Sequence, residues 1–180
     1  MALLSQWRVP SAFKPDDNYD YNTFNQVQEN LLYLLNRPFV RKNAVGSGLS
    51  NLTVTTTPVR EPTGYWQTSL TTLTGNFVVF GQLQVQVLGN TYMYLLMPIS
   101  DGIREWYIGV EDTSVSTQVV SRYYSRDASV THTLHFMLPV IGVPAGTYTV
   151  EPEFYVSSTS SGNGTFYAAS LTNSISMMEV

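Results

Sequence analysis

Between Phe77 and Leu88, the residues Leu83, Val85 and Val87 alternate with Gln82, Gln84 and Gln86, so that one strand carries an apolar face and an amide face. Alternation of this kind runs through almost everything beyond Tyr65. It predicts further strands over Thr91 to Met97, Glu105 to Val110, Val115 to Tyr123, Val130 to Leu138, Thr147 to Val156 and Gly164 to Met178. Ser100-Asp101-Gly102, Pro144-Ala145-Gly146 and Gly162-Asn163-Gly164 separate these strands as turn signals, and Gly89-Asn90 predicts a hairpin between the first two. Short strands at this spacing, with no helical pattern between them, predict a mainly β chain folded as an antiparallel β-sandwich or jelly roll. A parallel α/β sheet is excluded, because its crossover helices have no counterpart in the pattern.

The front of the chain reads differently. Residues 1–20 hold Pro10, Pro15, the acidic pair Asp16 and Asp17, and isolated Trp7 and Phe13, with no period of either kind, which predicts an extended N-terminal arm. From Asn22 the apolar residues Phe24, Val27, Leu31 and Leu34 recur at helical spacing, and Asp20 or Asn22 offers a capping oxygen. One short α-helix is expected, ending near Asn36 because Pro38 disfavours helical geometry in the residue before it. A helix of roughly 21 Å is marginal in water alone. It needs a partner, either its own β body or further copies of itself. Leu32, Leu35 and Tyr33 make its apolar surface broader than a two-stranded zipper uses. Gly46-Ser47-Gly48 and the Thr-rich run before Pro58 and Pro62 read as a linker towards a first edge strand. The expected organisation is an arm and helix over 1–45, a linker over 46–64 and a β-sandwich over 65–180.

At 180 residues the chain suits one domain with an appendage. Its net charge is −4 and only 12% of its residues are charged, against about 25% in ordinary domains, which argues against a phosphate-backbone binder. No cysteine is present, so disulfides, thiolate metal sites and cysteine nucleophiles are excluded. No stretch approaches the roughly 18 consecutive apolar residues of a membrane span, and Met1 to Pro10 reads as neither signal peptide nor anchor.

Candidates for chemistry are few. His132 and His135 are three apart on an expected strand, so they face opposite ways and cannot share a metal; His132 belongs with the Leu134 and Phe136 side. Gly46-Ser47-Gly48-Leu49-Ser50 has neither the order of a nucleophile elbow nor the lysine of a phosphate loop. Glu151 and Glu153 share a strand face at about 7 Å, superficially an acid/base separation, but read better as solvating or edge-protecting charges. Asp101 reads as a turn residue, and Asp16, Asp17 and Asp20 lack the ligand spacing of a cation site. No enzyme, metal or cofactor is expected.

The feature in excess is aromatic: 12 tyrosines and 3 tryptophans. Tyr65-Trp66, Trp106-Tyr107, Tyr123-Tyr124 and Phe166-Tyr167 are adjacent pairs, and Tyr92 and Tyr94 are near neighbours. Adjacent strand residues point to opposite faces, so one member of each pair is expected outside the core, as a subunit interface or a surface for a glycan. Trp66, Trp106 and Tyr107 are the candidate glycan or receptor contacts.

Trp7, then Pro10-Ser11-Ala12, then Asn22 and Asn25, then Asn30-Leu31-Leu32 and Leu34-Leu35 resembles the opening of many small virion proteins of tailed bacteriophages. The other end, Pro144-Ala145-Gly146-Thr147-Tyr148-Thr149-Val150, a Gly/Ser loop and a last strand closing on Ile175-Ser176-Met177-Met178-Glu179-Val180, resembles the distal β domain of the same group. The resemblance implies a non-enzymatic virion appendage, commonly a homotrimer, on the particle surface. It would be a capsid decoration, head fibre or short spike, with a tail receptor-binding fibre as the alternative. The arm and helix would bind the major capsid or tail proteins and neighbouring copies, with Trp7, Phe13, Phe24, Val27, Leu31 and Leu34 as the contact residues, while the β domain points outward. A soluble carbohydrate-binding β-sandwich is the rival reading. No nucleic acid or membrane partner is expected in either case.

Overall fold

The computed structural model describes residues 37–44, 49–87, 89–112, 117–125, 130–157 and 164–180. The expected arm and helix, with Trp7, Phe13, Phe24, Val27, Leu31 and Leu34, lie outside the described residues. Every assigned element among the described residues is a β-strand. In chain order they are β1 (Phe39–Asn43), β2 (Leu52–Val54), β3 (Val59–Arg60), β4 (Thr68–Thr72), β5 (Phe77–Val87) and β6 (Thr91–Leu96). Then come β7 (Pro98–Ser100), β8 (Glu105–Tyr107), β9 (Val110–Asp112), β10 (Thr117–Val119) and β11 (Ser121–Ser125). The last are β12 (Val130–Val140), β13 (Gly146–Val150), β14 (Glu153–Val156), β15 (Gly164–Phe166) and β16 (Ser174–Glu179).

All pairings are antiparallel. One layer is a six-stranded sheet ordered β1-β16-β5-β15-β2, with β12 paired along the other side of β5. Facing it are two four-stranded sheets, β11-β6-β14-β3 and β4-β13-β7-β8, and β9 and β10 form a separate ribbon. A single core lies between the layers. Phe77, Val79, Leu83, Val85 and Val87 of β5 enter it, as the alternation requires, and meet Met93 and Leu95 of β6 and Tyr148 and Val150 of β13. Aromatic contacts bridge the layers, with Phe154 stacked on Phe166 at 4.5 Å and Phe77 against Tyr148 at 5.2 Å.

The edge of β5 opposite β12 is shared by two strands. β16 pairs with Phe77 to Gln82 and β15 with Val85 to Val87. Between them the backbone of Gln84 is met by other groups: its N–H donates to Oδ1 of buried Asn173 at 2.6 Å, and its carbonyl accepts from the N–H of Tyr167. Asn173 also donates to the Tyr167 carbonyl, so one side chain closes the gap left where the chain departs from the sheet and returns.

Several expectations are corrected, among them the continuous strands over Glu105 to Val110 and Gly164 to Met178, which form β8 and β9 and β15 and β16. Gly89-Asn90 does not close a hairpin: β5 and β6 lie in different sheets, and the left-handed φ values of 31° and 41° at these residues turn the chain from one layer to the other. The expected strand over Thr147 to Val156 is split at Glu151-Pro152, with β13 in one sheet and β14 in another. The region read as a linker carries β2 and β3, and β1 comes before it. Val54, paired beside β15, is fully buried, so the sheets take in residues well ahead of Tyr65.

Candidate functional site

The outward face of β6 is where the aromatic excess collects. Met93 and Leu95 point into the main core, while Tyr92, Tyr94 and Leu96 point away from it. Strand registry brings Tyr124 of β11 opposite Tyr92 and Tyr155 of β14 opposite Tyr94. The rings follow the registry: Tyr92 and Tyr124 have centroids 4.7 Å apart, and Tyr94 and Tyr155 stack at 4.5 Å with planes within 6°. Tyr92 and Tyr94 are 6.2 Å apart, joining the two pairs into a band across three strands. The band grades from solvent to interior, with Tyr124 40% and Tyr92 38% exposed and Tyr94 at 4%. Arg122 lies over the Tyr92 ring and pairs with Asp112, and the Tyr124 hydroxyl donates to the Asn90 side chain.

Beyond Tyr155 the band opens into a groove lined by Thr56, Pro58, Leu96, Tyr107 and Thr117. A second depression shares Tyr107 and Thr117 and adds Trp106, Glu111 and Gln118. The Tyr155 hydroxyl at the groove is buried and has no hydrogen-bond partner among the described residues, and burial holds the phenol well above its ordinary pKa.

Tyr107 ties the groove to a charged cluster. Its hydroxyl donates to Oε2 of Glu153 at 2.9 Å. Glu153 sits opposite Arg60 in the β14–β3 register, and Arg60 Nε approaches its Oε1 at 3.5 Å. The guanidinium also grips Glu105 with two bonds of 2.7 and 3.0 Å, a planar fork on a carboxylate, and that hydrogen bonding, against the cost of burial, raises its pKa. Burial, then the bond to Glu153, raises the Tyr107 pKa, and burial raises that of Glu151. These side chains join the sheet β11-β6-β14-β3 to β8, the edge of its neighbour.

The sequence-derived candidates are placed as follows. Tyr107 and Trp106 are half-buried; Tyr107 lines both the groove and the second depression and Trp106 the depression alone, with its ring also against Tyr148. Trp66 is corrected: at 0% exposure it lies edge-on between Tyr65 and Phe166 in the core and offers no face to a ligand, and it is Tyr65 that stays half-exposed. The reading of Glu151 and Glu153 as solvating charges is corrected for Glu153, which is 7% exposed and engaged by Tyr107 and Arg60. His132 and His135 do face opposite ways, inward and outward, and no group of three metal-ligating side chains occurs among the described residues. Tyr155, Thr117 and Arg60 were not singled out. Tyr155 follows Phe154 in alternation and belongs with the other adjacent aromatic pairs, whereas nothing local marks Arg60 as the partner of Glu153.

No family model and no curated protein matches the chain. Among solved structures it is similar to that of infectious bursal disease virus, Gt strain, at 13% identity and a TM-score of 0.43, over 80% of this chain and 38% of that one. It is similar to Eiger TNF from S. frugiperda at 13% identity and a TM-score of 0.42, over 80% of this chain and 94% of that one. The VP2 subviral particle of infectious bursal disease virus gives 13% identity and a TM-score of 0.41, over 80% of this chain and 33% of that one. The chain thus spans well under half the length of the viral chains it resembles.

Proposed function

We propose that this is a non-enzymatic structural protein of a bacteriophage virion, a homotrimeric capsid decoration, head fibre or short spike. Its front segment binds the major capsid or tail proteins and neighbouring copies, and its β body faces outward. The observation that carries the reading is the pairing of β1 with β16 over Phe39 to Asn43. The described β body begins with a strand at Phe39, and the sequence ahead of it carries Trp7 and Phe13. The order of motifs at the two ends of the chain supports the same division. Deleting residues 1–36 tests it: the truncated chain is expected to keep the β body, by circular dichroism and cooperative melting, and to be lost from purified particles. Incorporation of the truncated chain at the normal level refutes the assignment.

The aromatic band and groove favour a second reading, contact with a glycan, either on a host surface or as the activity of a free-standing module. Tyr and Trp faces stack on sugar C–H surfaces, and Glu111, Gln118 and Thr117 supply hydrogen bonds for hydroxyls. Binding on a glycan array that is lost in Trp106→Ala and Tyr107→Ala, by a chain that sediments as a monomer, favours the free-standing module over the virion protein.

A further inference from the structure

An antiparallel sheet with one face on a core ordinarily turns a polar face to water. The outer face of the six-stranded sheet does so at one end only. Where β5 carries Gln82, Gln84 and Gln86, their neighbours on β12 are His135, Thr133 and Thr131. Towards the other end of the same strands the face becomes apolar. Strand registry lines up Phe39, Met178, Val78 and Pro139 in one row across β1, β16, β5 and β12. The next row runs Arg41, Ser176, Phe80 and Met137, apolar over its β5–β12 half. Met137 is 73% and Phe39 55% exposed, at opposite sides of this apolar stretch, with Val78, Phe80 and Met178 partly exposed between them.

The face lies at the point where the front segment enters. Arg37 and Pro38 are all that separates residue 36 from Phe39, itself the first member of the apolar row. The Pro38 carbonyl accepts from the Glu179 N–H at 3.0 Å, which fixes the entry at the sheet edge. Upstream, Phe24, Val27, Leu31 and Leu34 form a helical-spacing stripe that needs an apolar cover. The helix expected from the sequence over these residues would be roughly 21 Å long. Four strands at about 4.8 Å spacing are about 14 Å across, so such a helix spans the row with a turn to spare. Glu29, the single charged residue of 22–36, falls at helical spacing on the side opposite the stripe, so the stripe would bring no charge to the face.

We infer that the apolar end of this outer face is the seat of residues 22–36 of the same chain, with Phe24, Val27, Leu31 and Leu34 against Phe39, Val78, Phe80, Met137, Pro139 and Met178. A two-residue tether delivers the segment to its own sheet ahead of any other. Leu32 and Leu35 are then left on the flank for contacts between copies, and Trp7 and Phe13 remain in the arm. The inference does not depend on the virion reading and narrows it: Trp7, Phe13, Leu32 and Leu35, and not the stripe, are then what the front segment offers to other proteins.

The chain contains no cysteine, so paired cysteines report proximity without background. Leu31→Cys combined with Met137→Cys, treated with a short bis-maleimide in dilute full-length protein, is expected to give an intrachain crosslink, seen as a monomer of shifted mobility joining the two peptides by mass. Leu31→Cys with Gln118→Cys, on the opposite layer, is expected to give none. As an independent reading, Met137→Asp at this exposed position is expected to leave the body's melting unchanged and to speed chymotryptic cleavage at Phe24, Leu31 and Leu34 at least tenfold. Crosslinks formed only between chains, no crosslink at all in the Leu31→Cys, Met137→Cys protein, or cleavage unaffected by Met137→Asp would each overturn the inference.

Discussion

Glu179 in the last strand accepts a 2.7 Å hydrogen bond from the hydroxyl of Thr72, 107 positions earlier. The same carboxylate oxygen takes the N–H groups of Leu73 and Thr74 and the Thr74 hydroxyl, and the residue is 0% exposed. Here the last strand of the chain, set between β1 and β5 in the six-stranded sheet, is locked to the loop after β4 in the facing layer. Glu179→Gln keeps the shape but weakens four charge-assisted bonds, and a loss of about 1–3 kcal/mol is expected in urea unfolding. Thr72→Val is expected to cost about 1 kcal/mol.

Acid should expose the same bonds. Burial alone would raise the Glu179 pKa, but the hydrogen bonds from Thr72, Thr74 and Leu73 outweigh it and hold it below the ordinary value. The unfolded chain therefore takes up the proton first as pH falls. The stabilisation is complete above the ordinary glutamate pKa and is lost as pH drops through it towards the folded value. His132 acts with the same sign at higher pH, because burial against Tyr123 lowers its pKa. Its contribution is present above the ordinary histidine pKa and falls away below it. Urea midpoints measured against pH are expected to decline in two limbs, the upper abolished by His132→Gln and the lower by Glu179→Gln.

Trp66 separates volume from hydrogen bonding. It is enclosed by Tyr65 and Phe166, and its indole N–H has no partner among the described residues. Trp66→Ala is expected to cost about 3–5 kcal/mol through the cavity it leaves. Trp66→Phe removes the unsatisfied donor along with part of the volume, so its cost is expected to be less than half that of Trp66→Ala by thermal melting.

Much of this was legible where the determinant is local. The alternation around Leu83, Val85 and Val87 placed the core face of β5, and the odd spacing of His132 and His135 placed them on opposite faces. The same pattern cannot say which strands become neighbours. Gly89-Asn90 has the composition of a hairpin turn, yet β5 finds its partners in β12, β15 and β16, all far along the chain. Trp106 and Tyr107 were legible as a partly exposed pair, but the groove beside them depends on Tyr155 and Thr117, brought there by β14 and β10. Adjacency alone did not tell that Trp66, rather than Tyr65, turns inward; that is decided by the space beside Phe166.

Gly81 tests how tightly the shared edge of β5 is packed. A Cβ built there would stand 2.1 Å from the Ser174 carbonyl oxygen and 3.0 Å from the Phe136 ring. The first obstacle is backbone in the neighbouring strand and cannot move without disturbing the pairing of β16 with β5. Gly81→Ala is expected to destabilise by about 1–3 kcal/mol or more, although alanine suits a strand better than glycine by propensity. At Gly164 the nearest atom is the flexible end of Met93, at 2.0 Å, so Gly164→Ala is expected to cost less. Equal melting temperatures for the two variants would contradict this ordering.

The last prediction concerns the cluster behind the groove, where burial decides which partner matters. Glu105 is 45% exposed and its pairing with Arg60 is screened by water, so Glu105→Gln is expected to cost under about 1 kcal/mol despite the two short bonds. Glu153 is mostly buried, and its side chain is met by Tyr107 and Arg60. Tyr107→Phe leaves its carboxylate short of a donor, at an expected cost of about 1–3 kcal/mol. It should also remove one tyrosine that titrates late in ultraviolet pH titration, since burial and the Glu153 bond both favour the neutral phenol. Arg60→Met strands the buried charge, and the loss is expected to be largely recovered by adding Glu153→Gln, a positive coupling of about 0.5–3 kcal/mol in a double-mutant cycle. Additive losses would mean that Glu153 is carried by Tyr107 alone and that the contact with Arg60 contributes nothing to stability.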